Sequence, residues 1–563
     1  MPGLFSAQLR HARYYLKTLL EMQREFSKGG EALRRGLARF DTERPNIQTG
    51  QAWAMAHAAE NDLANQMCSQ YPSYGAPVLE IRQPPAERIQ WLQAALTCAR
   101  RANDRAAEGK HLGHLGLAYQ AAGDLRQAAE AYELHLSIAR EQSDQYGEGN
   151  ALGNLGIIYQ ALGDPQRALE LQQQSLLIHQ RRGDRRAEGN ALGNLGLAHE
   201  ALGQSNEAIH YFEQALAIFR TIGDAVKEGD ALNSLGLAYM NLGDVEQAAS
   251  FHEQALALAR ELADERGASQ ALGNLANTQV ALGNIQQAIT LYEQALTIDR
   301  AFGDQRGLSE DLGNLGLAYS ALGQYQTAIE YFEQHRQIAH AAGDRRGEST
   351  ALGNLANARL ALDELPQAIE LYQQALTIDR EIGSRRDEGI DLSNLGSVYA
   401  HSGDPVRAIE CYEQALVIAR EVGDRQLEMG SLANLGNRYR DAGEVEHAVQ
   451  VHREALSAFQ AAGNRRNESI ILDNLGHDYL AQGKVQEALD HYQQALSISR
   501  AIGDRYGEGQ RLFSLGALYA GTDQLEQATK CFQLILAIAR EISNWQMEEV
   551  ALRFLDQFSD QPQ

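Results

Sequence analysis

Cysteine is scarce. The 563 residues hold four, Cys68, Cys98, Cys411 and Cys531, far apart and without a C-x-x-C spacing, so neither a disulfide framework nor a zinc site is indicated. That usage fits a reducing cytosol. Basic charge is in deficit: 50 Lys and Arg against 74 Asp and Glu leave a formal net charge of -24. A general nucleic-acid binder needs the opposite, because neutralising phosphates takes a basic face. No apolar run is long enough to cross a bilayer, and the opening MPGLFSAQLRHARYY has no apolar signal core, so neither insertion nor export is expected. Catalytic motifs are missing too. Gly109-Lys110 and Gly483-Lys484 lack the upstream glycine and the hydroxyl of a phosphate loop, and neither G-x-S-x-G nor H-E-x-x-H occurs. His111 and His114 are three apart on one helix but have no third ligand nearby. These absences point away from an enzyme and from any metal or cofactor.

What the chain has in abundance is repetition. The stretch Ala151 to Asn190, ALGNLGIIYQALGDPQRALELQQQSLLIHQRRGDRRAEGN, recurs every forty residues without insertion or deletion, giving eleven units from His111 to 550 and a partial twelfth from Ala551 to Gln563. A fixed period of this length predicts one elongated all-α solenoid in which each unit contacts its neighbours. Within a unit the pattern predicts two helices. Asp184 caps the first, which runs through Asn190, Leu195 and Ala198 until Gly203 ends it, and the second spans Ser205 to Ile222. The positions of Leu152, Leu155 and Ala168 never vary among the units, and Gly156 changes only to Ala276 and Ala356. Fixed size at these places marks helix crossings.

Residues 1 to about 110 stand outside the register. A helix from Ser6 to about Phe26 is expected to stop at Lys28-Gly29-Gly30, a second to span Glu31 to Phe40, and a third to start at Asp41 or Thr42, with Pro45 in its first turn. Tyr71 to Pro85, with Pro72, Pro77, Pro84 and Pro85, reads as an irregular connection. Ala86 to Ala102 reads as the second helix of a degenerate first repeat that caps the array.

The combination of Leu155, Gly156 and Tyr159 with Gly163-Asp164 and Ala168 resembles the tetratricopeptide repeat family over residues 111 to 550. The forty-residue period with LGNLG is similar to the subclass found in spindle-orientation adaptors and kinesin light chains. The resemblance implies a right-handed α-α superhelix whose first helices line a groove for peptide segments. His199, Gln279 and Arg359 depart from it at the aromatic position, and Asp363 and Asp523 at the turn glycine.

A helical wheel places Leu152, Leu155, Gly156 and Tyr159 on one side and Asn150, Asn154, Ile157 and Ala161 on the other. The second stripe is the candidate groove. One slot holds Asn154, Asn194, Asn274, Asn314, Asn354, Asn394, Asn434 and Asn474, broken only by His114, Ser234 and Ser514. Asparagine is a poor helix former, so its recurrence needs a reason. Its amide offers donors and an acceptor to an extended peptide backbone, the use that peptide-binding relatives make of this slot. The other reading is a structural tie between repeats. Each neutral hydrogen bond nets only about 0.5–1.5 kcal/mol, whereas micromolar affinity takes about 8 kcal/mol, so selectivity must come from neighbouring positions. Leu117, Ile157, Leu197, Leu237 and Leu317 are apolar, but Asn277, Asn357, Ser397, Asn437 and His477 are polar. With Arg438, Arg440 and Asp441 nearby, residues 430 to 480 depart most at groove positions while keeping their packing positions, which makes Asn437, Arg438 and His477 candidates for a discriminating contact.

Arg185-Arg186, Arg345-Arg346, Arg385-Arg386 and Arg465-Arg466 follow helix N-caps, where the dipole disfavours cations. Either they pair with Glu188, Glu348, Glu388 and Glu468 at i, i+3, or they offer basic points to an acidic partner. Finally, RHARYYLKTLLEM and Leu37 to Ala54 resemble the lead-in to the tetratricopeptide sensor arm of bacterial STAND-type (NB-ARC) signalling ATPases. That resemblance implies a ligand-sensing arm with an ATPase domain N-terminal to it. A free-standing cytosolic adaptor is the alternative.

Overall fold

The computed structural model describes residues 2–27 and 30–559. Among these residues all regular structure is helical, in twenty-seven α-helices with no strand. They group into two compact units, Met1–Ile298 and Asp299–Gln563. The first unit opens with α1 (Pro2–Phe26), α2 (Gly30–His57), α3 (Asp62–Arg82) and α4 (Pro85–Arg101). Regular pairs follow: α5 (Arg105–Ala121) with α6 (Leu125–Glu141), α7 (Gln145–Ala161) with α8 (Pro165–Arg182), α9 (Arg185–Ala201) with α10 (Ser205–Ile222), and α11 (Ala225–Leu242) with α12 (Val245–Glu261). Each helix packs on the one before and the one after, and each first helix also touches the next first helix, α5 on α7, α7 on α9 and α9 on α11. The second unit follows the same scheme through Arg345–Ala361, Arg385–His401, Arg425–Asp441 and Arg465–Ala481.

Inside a repeat the helices start and stop where the sequence indicates. The Asp184 carboxylate accepts the Ala187 N–H at 3.1 Å and caps α9. Gly203 follows α9 at φ 71°, the left-handed conformation that glycine adopts without steric cost. Asp363 and Asp523 take the same turn at φ 62° and 60°, where a side chain costs about 1–2 kcal/mol. Asp523→Gly is therefore expected to raise stability by about 1 kcal/mol, net of the extra chain entropy glycine brings, as a higher denaturant midpoint.

The small position of each first helix has an identifiable partner. A Cβ on Gly156 would overlap the Gln172 amide, one on Gly196 the Phe212 ring, and one on Gly476 the Tyr492 ring. The second helix thus seats one large side chain on a bare patch of the first, while Leu152, Leu155 and Ala168 fill the surrounding core.

The N-terminal region corrects the sequence reading. Instead of two helices broken before Pro45, α2 is continuous through it. The ring removes the helical donor to the Asp41 carbonyl, but Asp41 is exposed, while Phe40 and Ile47 are buried on either side. Of the expected stop signal, Lys28 and Gly29 lie outside the described residues. The expected loop from Tyr71 to Pro85 is likewise mostly helix: α3 carries Pro72 and Pro77 within it. Buried Tyr71, Val78 and Leu79 hold it in place, and the Tyr71 hydroxyl donates to the Ala12 carbonyl at 2.7 Å. Only the step at Gln83 and Pro84 is irregular, and Pro85 opens α4 at the position where a missing N–H is harmless.

Candidate functional site

In the first unit the faces of α5, α7, α9 and α11 left over from packing form the floor of a concave cavity of about 1110 Å³. Leu20 and Gln23 of α1 and Ser73, Tyr74, Ala76 and Pro77 of α3 close one side of it. The N-terminal helices α1 and α3 therefore wall this cavity. Because the period is forty residues, the floor is laid in lanes. One lane is Lys110, Asn150, Asn190 and Asp230, a second is His114, Asn154, Asn194 and Ser234, and a third is Leu117, Ile157 and Leu197, which Leu237 continues along the sequence. The third lane is apolar yet open, at 38, 36, 44 and 45% exposure for Leu117, Ile157, Leu197 and Leu237.

Imidazoles lie deeper. Burial holds His114, His135 and His179 below the usual histidine range, so at neutral pH they are uncharged hydrogen-bonding groups. His111, which belongs to no lane, bonds Ser69 Oγ at 2.8 Å, and burial pushes it down to about 4. Among the described residues no three His, Cys, Asp or Glu side chains are placed to hold a metal, and no helix is long and apolar enough to cross a membrane.

The asparagine slot has one property throughout. Asn154, Asn194, Asn274, Asn314, Asn354, Asn394, Asn434 and Asn474 are all partly buried, and none of their side-chain amides bonds to another group among the described residues. The Asn274 nitrogen is buried with no partner at all. Polar ties between repeats are made elsewhere, as where the Gln160 amide donates to the Leu197 carbonyl at 3.2 Å.

The neighbouring polar positions in the two units behave otherwise. The Tyr372 hydroxyl donates to the Asn357 amide oxygen at 2.6 Å, Tyr292 does so to Asn277 at 2.5 Å, Ser397 bonds Tyr412 at 2.8 Å, and His477 Nδ1 bonds Tyr492 at 2.8 Å. Each of these polar residues meets a tyrosine hydroxyl fifteen residues on, in the second helix of its own repeat. Where the lane residue is Ile157 or Leu197, the facing residue is Gln172 or Phe212. Tyr132 faces Leu117, and its buried hydroxyl has no partner. Much of the polar change along the lane thus answers the protein's own tyrosines. Periodicity did not reveal this pairing, although the fifteen-residue offset was visible in the sequence.

Residues 430 to 480 keep the packing positions of Leu152, Leu155, Gly156 and Ala168, but Arg438 and Asp478 occupy the further core slot of Ile158. Asp478 is fully buried and receives His452 Nδ1 at 2.5 Å and Arg440 Nη1 at 3.0 Å. Arg440 also donates to the Asn437 amide oxygen at 2.8 Å, and Arg438 pairs with Asp441 at 3.0 Å. The departures from consensus therefore build an internal charge network. Asn437 takes part in it, Arg438 forms its own pair with Asp441, and His477 bonds Tyr492.

The paired arginines also resolve. Arg185, Arg345 and Arg465 meet Glu188, Glu348 and Glu468 at 2.5–2.7 Å, and Arg385 meets Glu388. Their successors reach the next repeat: Arg186 to Asp224 at 2.8 Å, Arg346 to Asp387 at 3.0 Å, Arg386 to Asp424 at 2.8 Å and Arg466 to Asp504 at 3.3 Å. All eight are engaged in ion pairs. Exposed pairs contribute about 0–1 kcal/mol each.

Tetratricopeptide repeat models match residues 147–221, 228–301, 311–381, 391–461 and 467–541, and related models match 194–261 and 112–146. The chain belongs to the tetratricopeptide repeat family. No curated protein matches the sequence. Similar solved structures include a STAND protein with a tetratricopeptide repeat sensor from Pyrococcus horikoshii, at 15% identity over 89% of this chain and 87% of that one, TM-score 0.48. Aspartyl phosphate phosphatase F from Bacillus subtilis is similar at 14% identity over 59% and 93%, TM-score 0.44. A putative kinesin light chain from Podosopora anserina with nearly identical TPR-like repeats is 25% identical over 34% and 95%, TM-score 0.31. The tetratricopeptide fold is suited to holding protein partners.

Proposed function

We propose that this chain is a non-enzymatic module that holds an extended peptide or protein segment against its first helices, and that it is the ligand-sensing arm of a STAND-type signalling ATPase. The observation that carries the binding role is the contrast between slots. The amides of the asparagine slot make no bond to the chain, while the polar side chains three residues further on are bonded to tyrosine hydroxyls. Groups that fold stability does not use are available to a ligand, and an asparagine amide matches the N–H and C=O of an extended backbone.

Asn154→Ala with Asn194→Ala, and Asn354→Ala with Asn394→Ala and Asn434→Ala, are expected to abolish capture of the partner from source-cell extract. Their melting temperatures should stay within a degree or two of wild type, since no intrachain bond is removed. A large fall in melting temperature with binding retained would assign the slot to the fold instead.

The sensor-arm reading is supported by the lead-in sequence and by the placement of α1 and α3 as a wall of the cavity. In source cells, an antibody against the repeats should detect a polypeptide much larger than these 563 residues. A band of this chain's own size would make it an adaptor.

A further inference from the structure

The apolar lane recurs once per repeat, and its interval selects among backbone conformations. First helices in the first unit touch one another directly, and contacting helices lie with axes about 8–10 Å apart. Leu117, Ile157, Leu197 and Leu237 therefore offer an apolar contact roughly every 8–10 Å. A β-strand returns to one face after two residues, about 6.8 Å, and misses this interval. An α-helix returns after seven residues, about 10.5 Å. A polyproline-type helix returns after three, about 9.3 Å.

The asparagines decide between the last two. Asn154 and Asn194 sit three residues, one helical turn, before Ile157 and Leu197, so a chain seated on the apolar lane passes over their amides. A helical ligand has its N–H and C=O groups bonded internally and would strip water from those amides without replacing it. A polyproline-type chain makes no internal hydrogen bonds and has both groups to offer.

We infer that the cavity of the first unit binds an extended polyproline-type segment carrying an apolar side chain at every third residue, with the α1 and α3 wall as the boundary of the binding site. Four contacts at that spacing correspond to a core of about ten residues. The inference rests on the peptide-binding reading above and adds the ligand's conformation, its residue period and the unit that takes it.

The test is to pan a phage-displayed library of random peptides, each about twelve residues long, on the immobilised full chain. Enriched peptides are then measured against the wild type, Leu197→Asp and Gly193→Phe. Gly193 lines the cavity with open space beyond it, so a ring there obstructs the floor without touching the core. Unchanged melting curves check that both variants fold.

Enriched peptides should carry apolar residues at i, i+3 and i+6 and lose at least about tenfold in affinity on either variant. Peptides that depend on Leu197 or Gly193 but alternate at i, i+2, or follow an i, i+4, i+7 helical pattern, overturn the period and leave the peptide-binding reading standing. If no enriched peptide responds to either variant, both the inference and the reading of this face fall.

Discussion

Asp478→Ala is expected to lower the unfolding free energy by about 3–5 kcal/mol, because removing one member of a buried charge group strands the others without a partner. Asp478 has no exposed surface and is bonded by His452 and Arg440 from two neighbouring helices. Its loss leaves a guanidinium and an imidazole facing a void in the core. The effect should appear as a lower denaturant midpoint and as faster amide exchange in the helices Arg425–Asp441 and Arg465–Ala481, since repeat arrays loosen locally. The same positions in other repeats hold Ile158, Gln160 and Phe212. The triple variant Asp478→Ile, Arg440→Gln and His452→Phe, which restores those residues, should recover most of the lost stability. If Asp478→Ala alone proves neutral, the network contributes nothing to the fold.

The stability contributed by two buried aspartates should also fall as pH rises from about 4 to about 8. Asp391 is buried, close to the Asp379 carboxyl and to Asp387, and its pKa is pushed up to about 8. Asp311 is pushed up to about 8 by burial and then by Asp299 and Glu310. The Ser349 hydroxyl donates to Asp379 Oδ1 at 2.6 Å and fixes one side of the first pair. Tyr372 and Glu388 also face it.

An acid whose folded pKa lies above its unfolded value keeps its proton in the native state. The unfolded chain releases that proton near pH 4, so at each of these two sites the native state binds more protons between about pH 4 and 8, and the stability the site contributes declines through that window. A tenfold difference in proton affinity between the folded and unfolded chain is worth about 1.36 kcal/mol, which puts the loss per site at a few kcal/mol. Asp391→Asn and Asp311→Asn, which cannot ionise, should each flatten the profile and exceed wild type at pH 8. Denaturant midpoints taken across the range would show it, and parallel wild-type and variant profiles would refute the assignment.

The repeat architecture was legible because every repeat states it again. Asp184, Gly203 and the boundaries of α10 read correctly from one period, and Leu152, Leu155 and Gly156 read correctly as packing positions. The N-terminal region was less legible because proline is a local signal. Pro45, Pro72 and Pro77 each remove one helical hydrogen bond, but the burial of Phe40, Ile47, Tyr71 and Val78 against neighbouring helices outweighs that loss. At the candidate site, periodicity picked out the asparagine slot and the apolar lane. It did not show that Asn357 and His477 bond tyrosine hydroxyls or that Asn437 and Arg438 bond Arg440 and Asp441, because a polar side chain on a wheel looks the same whether it faces solvent or a partner within the chain.

The sequence by itself determined the all-α repeat array, the positions that pack and the stripe of side chains that packing leaves over. Those follow from spacing along the chain, which a forty-residue period makes unambiguous. Only the tertiary structure decided that α1 and α3 wall a cavity over the first unit, that the arginine pairs are engaged in ion pairs, and that residues 430 to 480 build an internal charge network. Each of these depends on which side chains from different helices meet, and that is set by packing in three dimensions rather than by position in the repeat.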